Sequence, residues 1–224
     1  MEWVTISVGG SLIYPDKQID YDFLKSLKKV IESFKNKYKF AICVGGGNIA
    51  RVYINALRKH KVSKIKQDKI GISCTILNAK LLSLFFGLNQ EVPKSLGDVL
   101  KISKKQKLVI LGGLWPGTTS DGTAAEIGKK LGSKIFINIT NVKGLFDKDP
   151  KKYSDAKLIK EISHADFNKL VKKVIEKPGQ HFVLDSKAAR ITERANIKVI
   201  ILNGMNNLRN ALSGKSFVGT KIHK

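Results

Sequence analysis

Three apolar runs in this chain end in glycine clusters: Trp3 to Val8 runs into Gly9-Gly10-Ser11, Phe40 to Val44 into Gly45-Gly46-Gly47, and Leu108 to Leu111 into Gly112-Gly113. Short runs that are apolar throughout predict strands buried on both faces, as in parallel sheets covered by helices. Between them lie stretches of helical spacing. Phe23, Leu24, Leu27, Val30, Ile31 and Phe34 recur on one face with Asp20 or Asp22 available as N-cap. Further helices are expected from about Asn48 to Lys59 and from Ala124 to Leu131. Residues 68 to 87 are apolar round so much of a helix that it must be buried or lie in an interface. Ile135 to Ile139 and Val199 to Leu202 repeat the strand pattern; His164 to Val174 and Asp185 to Ala195 read as helices. The expected fold class is α/β with a mostly parallel sheet covered on both faces.

In an open parallel sheet, ligands bind beyond the carboxyl ends of the strands. Glycine there lets backbone amides approach an anion with no Cβ in the way. The three clusters are therefore expected to line one crevice, and the helix N-termini behind them favour a phosphate. The common nucleotide fingerprints are absent. No G-x-G-x-x-G opens a helix, and Gly214-Lys215-Ser216 has Arg209 where a P-loop needs its first glycine; Gly214 instead reads as the end of a helix from Met205 to Leu212. Asp121, after Thr118-Thr119-Ser120 and before a helix, could hold Mg²⁺, orient a phosphate-binding group, or cap the helix. Asp147 and Asp149 precede Pro150 in a turn, and Asp147 reads as a solvated loop acid. His60, His164, His181 and His223 are scattered without metal-ligand spacing, and only His181 falls in a glycine-flanked segment near the expected crevice.

With 224 residues and a 42% hydrophobic fraction the chain can bury one generous core, and no Gly-, Ser- or Pro-rich linker divides it. A single domain with two lobes is expected. No apolar run is long enough to span a bilayer, and residues 1 to 13 lack a basic-then-apolar leader, so a cytoplasmic location is expected. Cys43 and Cys74 sit in apolar stretches and read as core residues. The formal charge of +23 is spread over nearly every helix and turn instead of one stripe, so it predicts steering of anionic small molecules more than a nucleic-acid partner.

These residues, in this order, resemble the amino acid kinase family, and most closely its archaeal uridylate (UMP) kinases. The carriers are Ser7-Val8-Gly9-Gly10-Ser11, Val44-Gly45-Gly46-Gly47 with Ala50-Arg51, and Asp68-Lys69-Ile70-Gly71-Ile72 with Thr75 and Asn78-Ala79. They continue with Gly112-Gly113, Pro116-Gly117-Thr118-Thr119-Ser120-Asp121, Thr140-Asn141-Val142, Gly144, Asp149-Pro150 and Asp185 with Ala188-Ala189. The resemblance implies an αβα sandwich, usually hexameric, that transfers the γ-phosphoryl group of ATP to UMP with Mg²⁺. It implies an acceptor lobe over about residues 1–130 and a nucleotide lobe over about 131–224. By position, Ser7, Val8, Gly9, Gly10, Ser11, Gly47 and Arg51 would hold ATP phosphates, and Thr140, Asn141, Phe146 and Asp149 would surround the adenosine. Gly46, Asp68 and the loop Leu114, Trp115, Pro116, Gly117, Thr118, Thr119 and Ser120 would hold UMP. Asp121, Gly10 and Arg51 would carry the catalytic roles, with Asp121 organising the transfer site. No residue is assigned as a metal ligand.

The chain departs from the family pattern at several of these positions. Ser7 stands where many members carry lysine, and Ile76 where an arginine is usual. Leu114, Trp115 and Thr118 replace the threonine and two histidines of archaeal relatives; Lys143, Phe146 and Asn48 replace an aspartate, a tyrosine and a lysine. The resemblance thus implies a UMP kinase making UDP for pyrimidine nucleotide synthesis. Two alternatives stay open: a kinase of the same family with another small phosphate or carboxylate acceptor, and a non-catalytic nucleotide- or oxyanion-binding oligomer on the same scaffold.

Overall fold

A computed structural model describes residues 1–15, 17–89, 91–150, 152–175 and 183–224, and His181 lies outside them. The strands are β1 (Glu2–Val8), β2 (Tyr38–Val44), β3 (Leu108–Leu111), β4 (Ile135–Ile139), β5 (Glu161–Ser163), β6 (Lys198–Leu202) and β7 (Gly219–His223). They form one sheet in the order β3-β2-β1-β4-β6-β7-β5. β1, β2, β3, β4 and β6 run parallel, and β7 pairs antiparallel with β6. Chain order proceeds outward from β1 to β2 and β3 on one side, then returns to β4 and β6 on the other. The topological switch point therefore lies between β1 and β4.

The helices are α1 (Gly10–Ile13), α2 (Tyr21–Phe34), α3 (Gly47–Lys59), α4 (Lys64–Phe85), α5 (Leu96–Lys105), α6 (Ser120–Leu131), α7 (His164–Ile175), α8 (Ser186–Arg194) and α9 (Met205–Ser213). Strand side chains alternate between two faces, and each face has its own core. Val4, Ile6, Val8, Phe40 and Ile42 pack under α2, α4 and α9 with Leu24, Leu27, Leu82 and Leu208. Ala41, Cys43, Val109, Phe136 and Val199 pack under α5 to α8 with Val99, Ala124, Phe167 and Ala188. The expected αβα sandwich is the fold observed, and both cysteines are buried.

Local chemistry accounts for the helix ends. The Asp20 carboxylate accepts the Phe23 amide at 2.8 Å, which decides between the two expected caps of α2. Gly214 takes the left-handed conformation that ends α9. α4 buries Cys74, Asn78, Ala79 and Leu82, but Leu77 and Leu84 on its other side are 59% and 62% exposed, so the helix is not buried all round within this chain. No helix among the described residues is long and apolar enough to cross a membrane.

Candidate active site

The carboxyl ends of β1 and β2 carry the two glycine loops side by side. The Gly9 amide bonds the Ile139 carbonyl at 3.0 Å and the Gly45 amide bonds the Val8 carbonyl at 2.9 Å, tying the loops after β1 and β2 to the strands beside them. Gly10 and Gly47 touch backbone to backbone: a Cβ on Gly10 would overlap the Gly45 carbonyl and the Gly47 amide. Gly47 also has φ +61°, which glycine adopts without strain. Asn78, a polar residue in the buried face of α4, donates to the Gly45 carbonyl at 2.9 Å and fixes the second loop from below.

The third loop, after β3, is pinned by Thr75 of α4. Its hydroxyl accepts the Gly113 amide at 2.7 Å and donates to the Ile72 carbonyl at 2.6 Å. Thr75→Val is expected to leave the Gly113 amide without an acceptor and to lower stability by about 1–3 kcal/mol, whereas Thr75→Ser should stay close to the parent in urea unfolding. Beyond Gly113 the chain loops out to residue 119. Gly117, at φ +73°, gives its amide to the Asp68 carboxylate at 2.9 Å. Thr118 accepts the Lys187 ammonium at 2.8 Å, and the Thr119 hydroxyl donates to Asp185. Asp185 also caps α8 by accepting the amides of Lys187 and Ala188 at 2.7 and 2.9 Å.

Asp121 stands at the switch point. Ser7 on β1 and Asn138 on β4 are register partners on the sheet face under α6. Ser7 donates its hydroxyl to Asp121 at 2.6 Å, and Asn138 directs its amide there at 3.4 Å and to the Val183 carbonyl at 2.8 Å. One carboxylate in the first turn of α6 thus joins the two central strands. Thr119 caps α6, accepting the Gly122 amide at 3.0 Å, so the capping role considered for Asp121 belongs to its neighbour. Burial pushes the Asp121 carboxyl up to about 6 and the Asp185 charge adds to the rise, while the Ser7 and Asn138 hydrogen bonds oppose it. Two neutral donors stabilise a carboxylate less than a lysine would.

The other expected site residues fall around this centre. Ser11 lies in α1 behind Gly10, and Ser120 opens α6 facing Gly45. Val8 is wholly enclosed in the core and can offer a ligand only its backbone. Arg51 is exposed on α3, its guanidinium held by the Asn48 side chain. Thr140 follows β4 with its amide on the Leu202 carbonyl at 3.0 Å, and Asn141 is exposed beside it. Phe146 bridges Leu158, and the Asp149 carbonyl accepts the Lys152 and Tyr153 amides, so both stand on the segment that leaves β4. Leu114 and Trp115 pack against the core under α5 to α8 instead of standing free in the loop. Among the described residues no group of three or more His, Cys, Asp or Glu could hold a metal ion.

The model of the amino acid kinase family matches residues 2–203. The chain belongs to the amino acid kinase family. Among its relatives, the uridylate kinase of Thermoplasma volcanium is 36% identical, covering 100% of this chain and 98% of that protein. The uridylate kinase of Archaeoglobus fulgidus is 35% identical over 98% of this chain and 99% of its own. The crystal structure of an A. fulgidus uridylate kinase superposes with a TM-score of 0.86 at 33% identity, covering 99% and 100% of the two chains. A UMP kinase structure from Ureaplasma parvum, at 22% identity and a TM-score of 0.82, shares the fold. Ser7 keeps a hydrogen bond to Asp121 but brings no charge. Asn138 is a site-building residue that the motifs did not single out, while Asn78 and Asp185 stood in the motifs without an assigned role. Their signal was present, because a polar side chain inside an apolar strand or helix face must find a partner.

Proposed function

We propose that this chain is a UMP kinase that transfers the γ-phosphoryl group of ATP to UMP and releases ADP and UDP. The observation that carries the reading is one crevice with anion-ready loops on both sides of a half-buried aspartate at the switch point. The choice of UMP rests on full-length likeness to uridylate kinases. Gly9, Gly10, Ser11, Gly47 and Arg51 receive the ATP phosphates. Thr140, Asn141, Phe146 and Asp149 border the adenosine. Gly46, Asp68 and the loop from Pro116 to Ser120 receive UMP, with Leu114 and Trp115 packed against the core behind it.

An oxygen of the UMP phosphate attacks the γ-phosphorus, the bond to the β–γ bridging oxygen breaks, and ADP leaves with that electron pair. The attacking phosphate is already an anion, so no strong base is needed; positioning and neutralisation of charge supply the rate. Backbone amides at the starts of α1 and α3 face the transferred group. Asp121 holds β1 and β4, and with them the loops of donor and acceptor, in fixed relation. A lone carboxylate at the crevice floor suits Mg²⁺ that arrives on nucleotide phosphates, since that ion takes one or two protein carboxylates and keeps the phosphates as ligands. When bound it neutralises phosphate charge.

The exposed apolar side chains Val52 and Tyr53 on α3 and Leu77 and Leu84 on α4 support a homo-oligomer, a hexamer by family resemblance. Cytoplasmic pyrimidine nucleotide synthesis is the setting this activity implies. The deciding experiment is coupled ADP release with UMP, CMP, AMP and amino-acid carboxylates. Turnover of UMP well above the rest is expected. Turnover of another acceptor in its place would favour the related-kinase reading, which the altered Leu114, Trp115 and Thr118 keep in view. ATP binding without acceptor-dependent ADP release would mean a non-catalytic binder.

A further inference from the structure

The loop from residue 114 to 119 is held from both layers of the sandwich. Asp68 on α4 takes the Gly117 amide from one face of the sheet, and α8 takes Thr118 and Thr119 from the other. The Thr119 contact uses Asp185, whose carboxylate also caps α8 and so is committed to that helix. Lys187 differs: its ammonium reaches out of its own helix to the Thr118 hydroxyl, at 2.8 Å. Its stem lines a cleft of about 280 Å³ behind the loop with Leu96, Trp115, Glu126 and Lys130. The side chain therefore shares a cleft with Trp115 and ends on the loop assigned to the acceptor, as a long cationic residue does when its stem borders a cleft and its charge is directed at one oxygen.

We propose that Lys187 is a positioning residue for the acceptor, acting through Thr118. It belongs to the helix preceding β6 in the nucleotide half, yet it fixes the loop assigned to the acceptor, and so links the two halves of the crevice. An ammonium-to-hydroxyl bond in a half-buried setting is charge-assisted and stronger than a neutral one. Thr118 loses its donor when Lys187 is shortened or made neutral, and the loop is then left to Asp68 and Asp185.

The inference rests on the UMP kinase reading for its kinetic arm and is independent of it for its optical arm. Lys187→Met keeps an unbranched stem in the cleft shared with Trp115 and removes the ammonium. In the full-length protein it is expected to raise the KM for UMP roughly tenfold, the loss of one charge-assisted hydrogen bond, with kcat changed by less than about threefold and the KM for ATP unmoved. Thr118→Val should do the same, the double variant should be no worse than either single one, and Lys187→Arg should recover most of the loss. With Trp3 replaced by Phe, Trp115 is the one remaining tryptophan, and acrylamide should quench its fluorescence more readily in Lys187→Met and Thr118→Val than in their parent. A fall in kcat without a change in KM would overturn the proposal in favour of a direct contact with the transferred group. Normal kinetics in Thr118→Val beside impaired Lys187→Met would overturn it in favour of direct contact with the acceptor. Unchanged quenching in both variants would overturn it whatever the acceptor. A parent that fails to use UMP while the variants show increased quenching would sink the kinase reading and leave the tether standing.

Discussion

Asp121→Asn is expected to reduce turnover by roughly a hundred- to a thousandfold and, at the same time, to raise the melting temperature at pH 8. Both effects come from one placement. The carboxylate is enclosed at the switch point with Ser7 and Asn138 as neutral donors and Asp185 as a like charge, which lifts it from 3.8 to about 6. A carboxyl whose folded value exceeds its unfolded one favours folding while it is protonated. Its penalty is therefore absent below about pH 4, grows between there and about pH 6, and is complete above that. Ionised Asp121 accordingly opposes folding at pH 8 by on the order of 2 kcal/mol. Asparagine keeps the shape and an acceptor for the Ser7 hydroxyl while shedding that charge. The gain should approach about 5 °C at pH 8 and vanish near pH 4. Thermal unfolding at the two pH values, set beside coupled ADP release, separates the outcomes. Equal melting temperatures at pH 8 would remove burial as the cause of the shift, and activity within tenfold of the parent would remove Asp121 from the transfer site.

The sandwich was legible because buried parallel strands leave the strongest mark a sequence can carry, a run apolar on both faces followed at once by glycine. β1, β2 and β3 carried the whole mark, and β4 and β6 were found by the apolar run alone, since Thr140 and Asn203 follow them. The edge of the sheet was not. β5 and β7 are short and carry lysine, glutamate and histidine, and they are strands because β6 offers β7 an open edge and β7 offers one to β5. α5 escaped for a similar reason: only Leu96, Val99 and Ile102 turn to the core, although Ser95 caps it by accepting the Asp98 amide at 3.1 Å. At the site, glycine positions were readable because backbone approach leaves no alternative residue. Side-chain roles were less so. Ser7 and Asn138 meet Asp121 only because β1 and β4 are neighbours in register, and sequence order places them 131 residues apart. Trp115 belonged on paper to the acceptor loop as a whole; in three dimensions its ring turns to the core behind that loop.

Gly10→Ala is expected to cripple both fold and donor binding, whereas Gly9→Ala, one residue earlier in the same loop, should fold like the parent. The contrast tests whether the loops after β1 and β2 are in backbone contact. At Gly9 the backbone has ordinary negative φ, and an added Cβ would come no nearer than 3.4 Å to the Ile139 carbonyl. That is a contact most side chains tolerate. At Gly10 the same methyl group would sit inside the van der Waals envelope of the Gly45 carbonyl and the Gly47 amide, both of them backbone. No rotamer relieves such an overlap, because the colliding atoms cannot swing away. The loops must part, which strains the hydrogen bond from Gly45 to Val8 and uncovers the fixed carbonyl on Asn78. Forced overpacking of this kind lowers stability by about 3 kcal/mol or more. The separated loops no longer aim their amides at one anion, so ATP affinity measured by calorimetry should fall at least about a hundredfold in whatever fraction remains folded. If Gly10→Ala melted within a degree or two of the parent and bound ATP normally, the two loops would have to be independent, and the crevice would lose the contact that makes it a single phosphate cradle.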